Sequence, residues 1–213
     1  MKKSKYRLPE EIMADPRITA IDKAVREAFD NGTLADAKIY IGGIELSAHS
    51  LVLTAQSTYF KRALQGEMQD GNTRKFEYSE GSMQAYWRTF EYMYTGKYRE
   101  EPCMKLNHPD DDELSKDVRV YQLADYFEVD GLKDYALQKF QAKITKLWVS
   151  EVFVDCIRDV YRSTSDEKCK MRGAVIYVVH QHVSELWGKG PFKELLREGG
   201  DFAVDLMSKL VGM

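Results

Sequence analysis

Two short β-forming triplets separated by a pair of glycines constrain the fold of this chain more than any other feature. Ile39-Tyr40-Ile41 and Ile44-Glu45-Leu46 flank Gly42-Gly43. Two adjacent glycines accept the positive φ angles of a tight hairpin turn without steric cost, so the pattern predicts a β-hairpin. Phe76 and Tyr78 alternate with polar neighbours, which predicts one more short strand. The sheet is therefore small, and helices must supply most of the core.

Helical spacing of apolar residues accounts for most of the remaining sequence. It predicts an amphipathic helix over Ile18–Phe29, one or two short helices over Ser50–Gln65, and a helix over Ser82–Thr95 that Ser82 caps and Gly96 ends. Lys97-Tyr98-Arg99 is predicted to be a small edge strand. The chain from Val118 onward is predicted to be all-helical, and its last helix is predicted to be capped by Asp201. The predicted fold class is α+β, a small mixed sheet flanked by helices and followed by an all-helical extension.

The segment Glu100–Asp117 interrupts this pattern with two prolines and seven acidic residues against two basic ones. Such a composition predicts a solvated loop. The run Asp110–Glu113 lacks the alternating ligands and the central glycine of a calcium-binding loop, so its carboxylates are expected to face solvent.

Charge and cysteine content exclude several classes of function. The net charge is −3, from 31 basic and 34 acidic residues, which disfavours nucleic acid as a partner. Three cysteines without a CxxC pair indicate reduced thiols. The chain opens without an apolar signal region, and its longest apolar run, Ala174–Val179, is too short to span a bilayer. We therefore expect an intracellular protein, cytoplasmic or nuclear, with no membrane partner.

The sequence offers little that resembles an active site. His180 and His182 are two residues apart in a helical pattern and cannot chelate one metal together. Phosphate loops and nucleophile elbows are missing, so we expect no cofactor, no metal and no small-molecule substrate. His49 stands between a strand and a helix and is predicted to fix that turn by hydrogen bonding. Cys156 lies on an apolar stripe, and a thiol hydrolase built on it is a remote alternative.

Several phrases occur together in an order that resembles the BTB/POZ domain. They are Asp36-Ala37-Lys38-Ile39, the glycine hairpin, Ala48-His49-Ser50, Ser57-Thr58-Tyr59-Phe60, Phe90–Tyr98, Leu123–Phe127 and Gly131-Leu132-Lys133. The likeness covers about Ala35 to Ala142, and Lys143–Met213 is similar to the helical extension of stand-alone BTB proteins common in filamentous fungi. The expected division is a flexible segment at 1–17, the BTB/POZ domain at 18–142 and the extension at 143–213.

The resemblance implies a non-enzymatic protein that binds itself and other proteins. Many such domains form dimers through an N-terminal helix, and here that helix would use Ile18, Ile21, Val25 and Phe29. An amphipathic helix outside the main core buries its apolar face either on a second copy or on its own domain. Periodicity alone does not decide between these alternatives.

The resemblance also implies two kinds of partner site. Cullin-binding members carry a hydrophobic-x-Glu motif after the third helix, and Met68-Gln69-Asp70 occupies that place with a carboxylate one methylene shorter. Transcription repressors of the family use a charged pocket made by an Asp and by a basic residue after the histidine. Asp36 and His49 match that signature, whereas Ser50 stands in place of the basic residue. The expected function is a homo-oligomerising adaptor, with a cullin as a candidate partner, and the alternative is a scaffold or transcription-related regulator without ubiquitin function.

Overall fold

A computed structural model describes residues 16–67, 73–106, 109–164 and 169–212. The motif Met68-Gln69-Asp70 and the segment 1–15 lie outside the described residues. Within residues 16–18 the backbone is helical, and the side chain of Ile18 is outside the description as well.

The first half of the chain contains three strands and five short helical segments in the described residues. In chain order they are α1 (Pro16–Glu27), β1 (Ala37–Ile41), β2 (Ile44–Ala48), α2 (Ser50–Gln56), α3 (Thr58–Arg62), a π-helical turn (Ala63–Glu67), β3 (Lys75–Tyr78) and α4 (Met83–Thr95). The second half is helical: α5 (Ser115–Tyr126), α6 (Asp130–Leu147), α7 (Phe153–Ser163), α8 (Lys170–Gln181), α9 (Val183–Trp187), α10 (Gly190–Glu198) and α11 (Asp201–Leu210). The predicted α+β class with a helical extension is confirmed.

The three strands form one mixed sheet in the order β2-β1-β3. β1 and β2 are antiparallel, with Ile41 opposite Ile44, and Gly42 and Gly43 make the turn at φ 56° and 82°. The predicted hairpin is therefore confirmed. β3 runs parallel to β1, with Phe76 beside Ile39, and the helical segments between β2 and β3 provide the crossover that a parallel pair requires.

An aromatic cluster joins the sheet to the helices. Phe60 on α3 stacks on Phe127 with ring centroids 5.1 Å apart and meets Phe76 of β3 edge-on at 5.0 Å. All three rings are buried, and Phe90 of α4 packs against the same group. Buried aromatic pairs add about 0.5–1.5 kcal/mol each beyond their area, so this cluster fixes α3, α4 and the end of α5 on one face of the sheet.

Both predicted ends of α4 are confirmed. The Ser82 hydroxyl accepts a hydrogen bond from the Ala85 N–H at 3.0 Å, and Gly96 ends the helix at φ 72°. The predicted edge strand at Lys97–Arg99 is wrong, because these residues form no strand. Side chains replace a strand ladder there: the Glu91 carboxylate accepts the Arg99 N–H at 3.0 Å, and the buried Tyr98 hydroxyl donates to Asp117 at 2.6 Å.

The prediction of a solvated loop at Glu100–Asp117 is also wrong for half of its described residues, which are buried or partly buried. Asp111 forms an ion pair with Arg88, and the two side chains are only 4% and 3% exposed. Arg88 also donates to the carbonyls of Arg99 and Glu100, each at 3.2 Å. The segment is thus attached to α4, and α5 begins at Ser115 rather than at Val118. The composition of the segment could not show that Asp111 is buried, because the cation that pairs with it, Arg88, lies on another element.

Smaller corrections concern the helical half. Gly131 was expected to separate two helices, but it lies in the first turn of α6. The break between α5 and α6 falls at Phe127–Val129, where Glu128 has φ 53°. Asp201 is the first helical residue of α11 and not its cap, and its carboxylate pairs with Arg172 at 3.0 Å. Val149 and Val152 begin the apolar stripe that contains Cys156 and were expected to be helical and buried, but they precede α7 and are exposed.

Candidate protein-docking surfaces

The first two turns of α1 project from the domain. Every residue from Thr19 to Ala24 is exposed, and Ile21 keeps 65% of its surface. The C-terminal end is fixed, since Phe29 packs edge-on against Trp87 at 5.4 Å and against Tyr94 at 5.6 Å. The Arg26 guanidinium also donates to the Thr95 carbonyl at 2.6 Å. Of the residues assigned to this helix, Val25 and Phe29 contact their own domain and Ile21 faces solvent, while the side chain of Ile18 lies outside the description. Their use in a dimer stays a prediction.

His49 fixes the turn from β2 into α2 through a complete set of hydrogen bonds. Its Nε2 lies 2.9 Å from the Thr33 carbonyl, which can only accept, so Nε2 carries the proton. Nδ1 then accepts from the Tyr94 hydroxyl at 3.1 Å, and the His49 N–H donates to the same oxygen at 2.8 Å. Burial raises the pKa of Tyr94 to about 12, which keeps the hydroxyl protonated. Both ring nitrogens are occupied, which leaves none for general-base chemistry.

Asp36 is held by two partners, one of which the sequence did not indicate. Its Oδ1 accepts the Ser50 N–H at 2.7 Å, and its Oδ2 pairs with Arg74 at 2.7 Å. Partial burial opposes ionisation, but the bonds from Ser50 and the charge of Arg74 together lower the pKa of Asp36. The basic residue beside Asp36 comes from the entry to β3 and not from the position after the histidine. Because these partners occupy both carboxylate oxygens, the corepressor-type pocket loses support.

Two leucines that sequence reasoning missed are strongly exposed around this turn. Leu34 follows Thr33, whose carbonyl accepts from His49, and it is 90% exposed at φ 61°. Leu51 follows two residues after His49 and is 81% exposed, although its spacing suggested a buried helix face. The sequence did contain a signal that Leu34 is exposed, because it is a large apolar residue in a loop with turn-forming neighbours. We use the term front surface for Ile21, Leu34 and Leu51.

A second exposed surface lies beside the π-helical turn that leads to Met68. Tyr126 packs on Tyr59 at 5.2 Å and is 54% exposed, and the adjacent Arg62 guanidinium pairs with Glu128. Gly66 bends the chain at φ 89° immediately before the predicted cullin motif. We call Tyr59, Arg62, Tyr126 and Glu128 the side surface. The structure does not describe Met68, Gln69 and Asp70, so their role in cullin binding stays a prediction.

Cys156 has none of the properties of a nucleophile. Its side chain is buried in α7, and burial, reinforced by the charges of Asp112, Asp159 and Asp117, raises the pKa of the thiol. A catalytic cysteine needs the opposite, a lowered pKa beside a cation or a base. The thiol-hydrolase alternative therefore has no structural support. Cys156 instead packs as a small apolar side chain.

Neither a metal site nor a membrane span emerges from the described ranges. Groups of three or more potential metal-ligating side chains are missing among residues 16–67, 73–106, 109–164 and 169–212. Within the same ranges, no helix combines the length and apolar character needed to cross a bilayer. His182 stacks on Trp148 at 3.9 Å, so one of the two candidate histidines has a packing role.

Comparisons with known proteins agree with this architecture. The family model described as BTB/POZ domain matches residues 25–144, which is more than half of the chain. The mouse (Mus musculus) TD and POZ domain-containing protein 2 is 28% identical over 83 residues, a match that covers 39% of this chain and 22% of that protein. This chain therefore spans only a small part of that relative. A hairpin with a parallel third strand, helices packed on its face and the family match lead to one conclusion: the chain belongs to the BTB/POZ domain family, whose domains mediate protein–protein interactions.

Proposed function

We propose that this protein is an intracellular, non-enzymatic adaptor that self-associates through its front surface. The exposed Ile21 on a helix that is anchored at its other end is the observation that carries the proposal. A helix held in place by Phe29 presents its first turns in a fixed orientation, which lowers the entropy cost of binding. Three free cysteines, one of them buried, support an intracellular setting.

A second copy of the chain is the partner that best fits the front surface. Ile21, Leu34 and Leu51 are large, exposed apolar side chains, and their exposure to water is unfavourable by about 25 cal/mol per Å². A two-fold symmetric contact buries the same residues on both copies, so a single interface covers the exposed side chains of each copy. The C-terminal turn of α1 already packs on its own domain, which leaves the N-terminal turns for the partner.

Light scattering over a concentration series tests self-association. We expect the wild-type protein to reach the mass of a dimer, and Ile21→Glu to weaken the association at least tenfold because a charge would be buried at the contact. Lys23→Glu is the matched control. It makes the same helix more negative than Ile21→Glu does, but Lys23 lies on the opposite face, so we expect the dimer to persist. A wild-type protein that stays monomeric throughout, or an Ile21→Glu dimer of unchanged affinity, would refute this role for α1.

A cullin is the second candidate partner, and the side surface supports it. An exposed tyrosine beside a paired Arg62 and Glu128 is the type of aromatic and polar patch that interfaces favour. It lies next to the turn that leads into the Met68-Gln69-Asp70 motif, and the helical extension would add support beyond the domain.

A pull-down with a purified cullin tests this partner. We expect capture by the wild-type protein, loss with Met68→Ala, Asp70→Ala and Tyr126→Ala, and retention with Asp70→Glu, which restores the longer carboxylate. Absence of binding, or binding that these alanine variants leave unchanged, would contradict the cullin assignment. If self-association holds in that case, the protein is a scaffold without ubiquitin function.

A further inference from the structure

An apolar groove opens between α6, at the end of the BTB/POZ domain, and α8 of the helical extension. It has a volume of about 430 Å³, and Leu137, Ile144, Ala174 and Val178 line it as buried or nearly buried side chains. Along the whole of α8, the exposed positions are Lys170, Gly173, Tyr177 and Gln181, which form a single line beside this groove. The helix is buried on its other sides, so the groove is where α8 meets solvent.

Packing among the described residues does not explain Gly173. It lies in the interior of α8, where glycine costs about 1 kcal/mol relative to alanine. A Cβ atom at this position would meet no atom of the described residues within 4 Å, so alanine would fit. A glycine that faces open space on a helix permits the close approach of a second helix. The groove therefore leaves room for a helix to approach α8 closely.

α11 has an apolar face without a partner in the described part of the chain. Phe202 and Leu206 point into the core, while Val204, Met207 and Val211 on the other side are exposed. These three residues follow the i, i+3, i+7 spacing of a helix that anchors itself in a groove. Apolar residues on opposite sides of one helix are typical of a helix that is covered on both sides.

The apolar face of α11 and the groove point in different directions. The Asp201 carboxylate on α11 pairs with Arg172 at 3.0 Å, so α11 packs on the Arg172 side of α8. At about 100° per residue, Arg172 lies about 100° around the helix from Gly173 and about 140° from Tyr177. One copy therefore cannot place its own α11 in its own groove without unpacking that helix.

We propose that the α6–α8 groove receives α11 of a second copy. Such a contact joins two different surfaces, so it is heterologous and propagates into open chains unless a rotation closes it. The surfaces are small, and an interface below about 1,200 Å² is characteristic of weak association. The contact goes beyond the front-surface dimer, because it uses other residues and would link such dimers into larger assemblies.

Sedimentation velocity with mixed variants tests this proposal on the full chain. All proteins carry Ile21→Glu, which weakens association through the front surface, so any oligomer that remains is attributed to another contact. The parent protein should then form oligomers that grow with concentration beyond a dimer. Met207→Glu blocks the α11 face and Gly173→Leu fills the groove, and each alone should be monomeric. An equimolar mixture should form a one-to-one dimer and stop there, because one variant retains the groove and the other retains α11.

A parent protein that is monomeric at every concentration overturns the proposal, as does a mixture that remains monomeric while both variants are folded by circular dichroism. Tyr177→Glu replaces Gly173→Leu if the larger side chain disturbs α8, and it should give the same complementation. The control Gly173→Ala adds one methyl group and should weaken the association less than Gly173→Leu does.

Discussion

α1 and the segment Glu100–Asp117 have environments opposite to those that their compositions suggest. α1 carries an apolar stripe, yet Ile21 at its centre is 65% exposed. The acidic segment carries five carboxylates between Asp110 and Asp117, yet Asp111 and Asp117 are almost fully buried. Ile21 lacks a covering surface among the described residues, whereas Asp111 and Asp117 have cations on α4 and α6.

The difference shows that partners on other elements decide burial. Asp117 is buried because Lys143 pairs with it at 2.7 Å and Tyr98 donates to it at 2.6 Å. A buried charge is tolerated when it is paired and hydrogen-bonded in this way. Ile21 stays exposed because no apolar surface of its own domain reaches the first turns of α1 in the described residues. In the proposed function, this exposed part of α1 is where a second copy binds.

Loss of the buried ion pair should have the largest effect on stability. Asp111→Asn leaves the Arg88 guanidinium buried without its counter-charge, and removal of one partner of a buried pair costs about 3–5 kcal/mol. We expect a decrease of roughly 3 kcal/mol in the free energy of unfolding, measured by urea denaturation.

The matched control is Glu128→Gln, which makes the same chemical change in the exposed pair with Arg62. Exposed ion pairs contribute about 0–1 kcal/mol, so this variant should unfold close to the wild-type midpoint. Equal losses for the two variants would show that Asp111 is not buried as described.

Acid should act through Glu100, which joins the acidic segment to α5 and α6. Lys116 and Lys143 each contact its carboxylate at 2.7 Å, and Lys139 pairs with it as well. Partial burial opposes ionisation, but the hydrogen bonds from these lysines lower the pKa of Glu100 from 4.5 to about 2. Its contribution is therefore complete above about pH 4.5 and is lost as the pH falls toward 2.

The pH dependence of unfolding distinguishes this effect from general acid denaturation. Glu100→Gln should lose on the order of 1 kcal/mol at neutral pH, after allowance for solvent screening of a carboxylate that is 40% exposed. The difference between the variant and the wild type should shrink between pH 4.5 and pH 2. A difference that is constant over this range would mean that the lysines do not hold the carboxylate.

The sequence predicted those elements whose causes are local. Gly42-Gly43 dictated a hairpin, Ser82 and Gly96 delimited α4, and the position of His49 implied a hydrogen-bonded turn. Each depends on a few consecutive residues whose backbone preferences agree. The family was also evident from sequence, because its phrases follow one another in order.

Features that depend on distant partners were out of reach of pattern analysis. Arg74 pairs with Asp36 across 38 positions, and Arg88 pairs with Asp111 across 23. Tyr98 appeared to be part of a strand because its partner, Asp117, lies within a segment that looked solvated. Leu51 fitted a buried helical stripe, and only the orientation of α2 on the domain shows that it faces outward.

Hydrogen–deuterium exchange at two protein concentrations tests the contrast between these regions most directly. We expect the amides of Thr19–Ala24 to exchange rapidly in dilute protein and to become protected at high concentration, as a second copy covers them. The amides of residues 109–117 should be equally protected at both concentrations, since their partners are in the same chain. Protection of Thr19–Ala24 that does not depend on concentration, or rapid exchange throughout residues 109–117, would contradict the account.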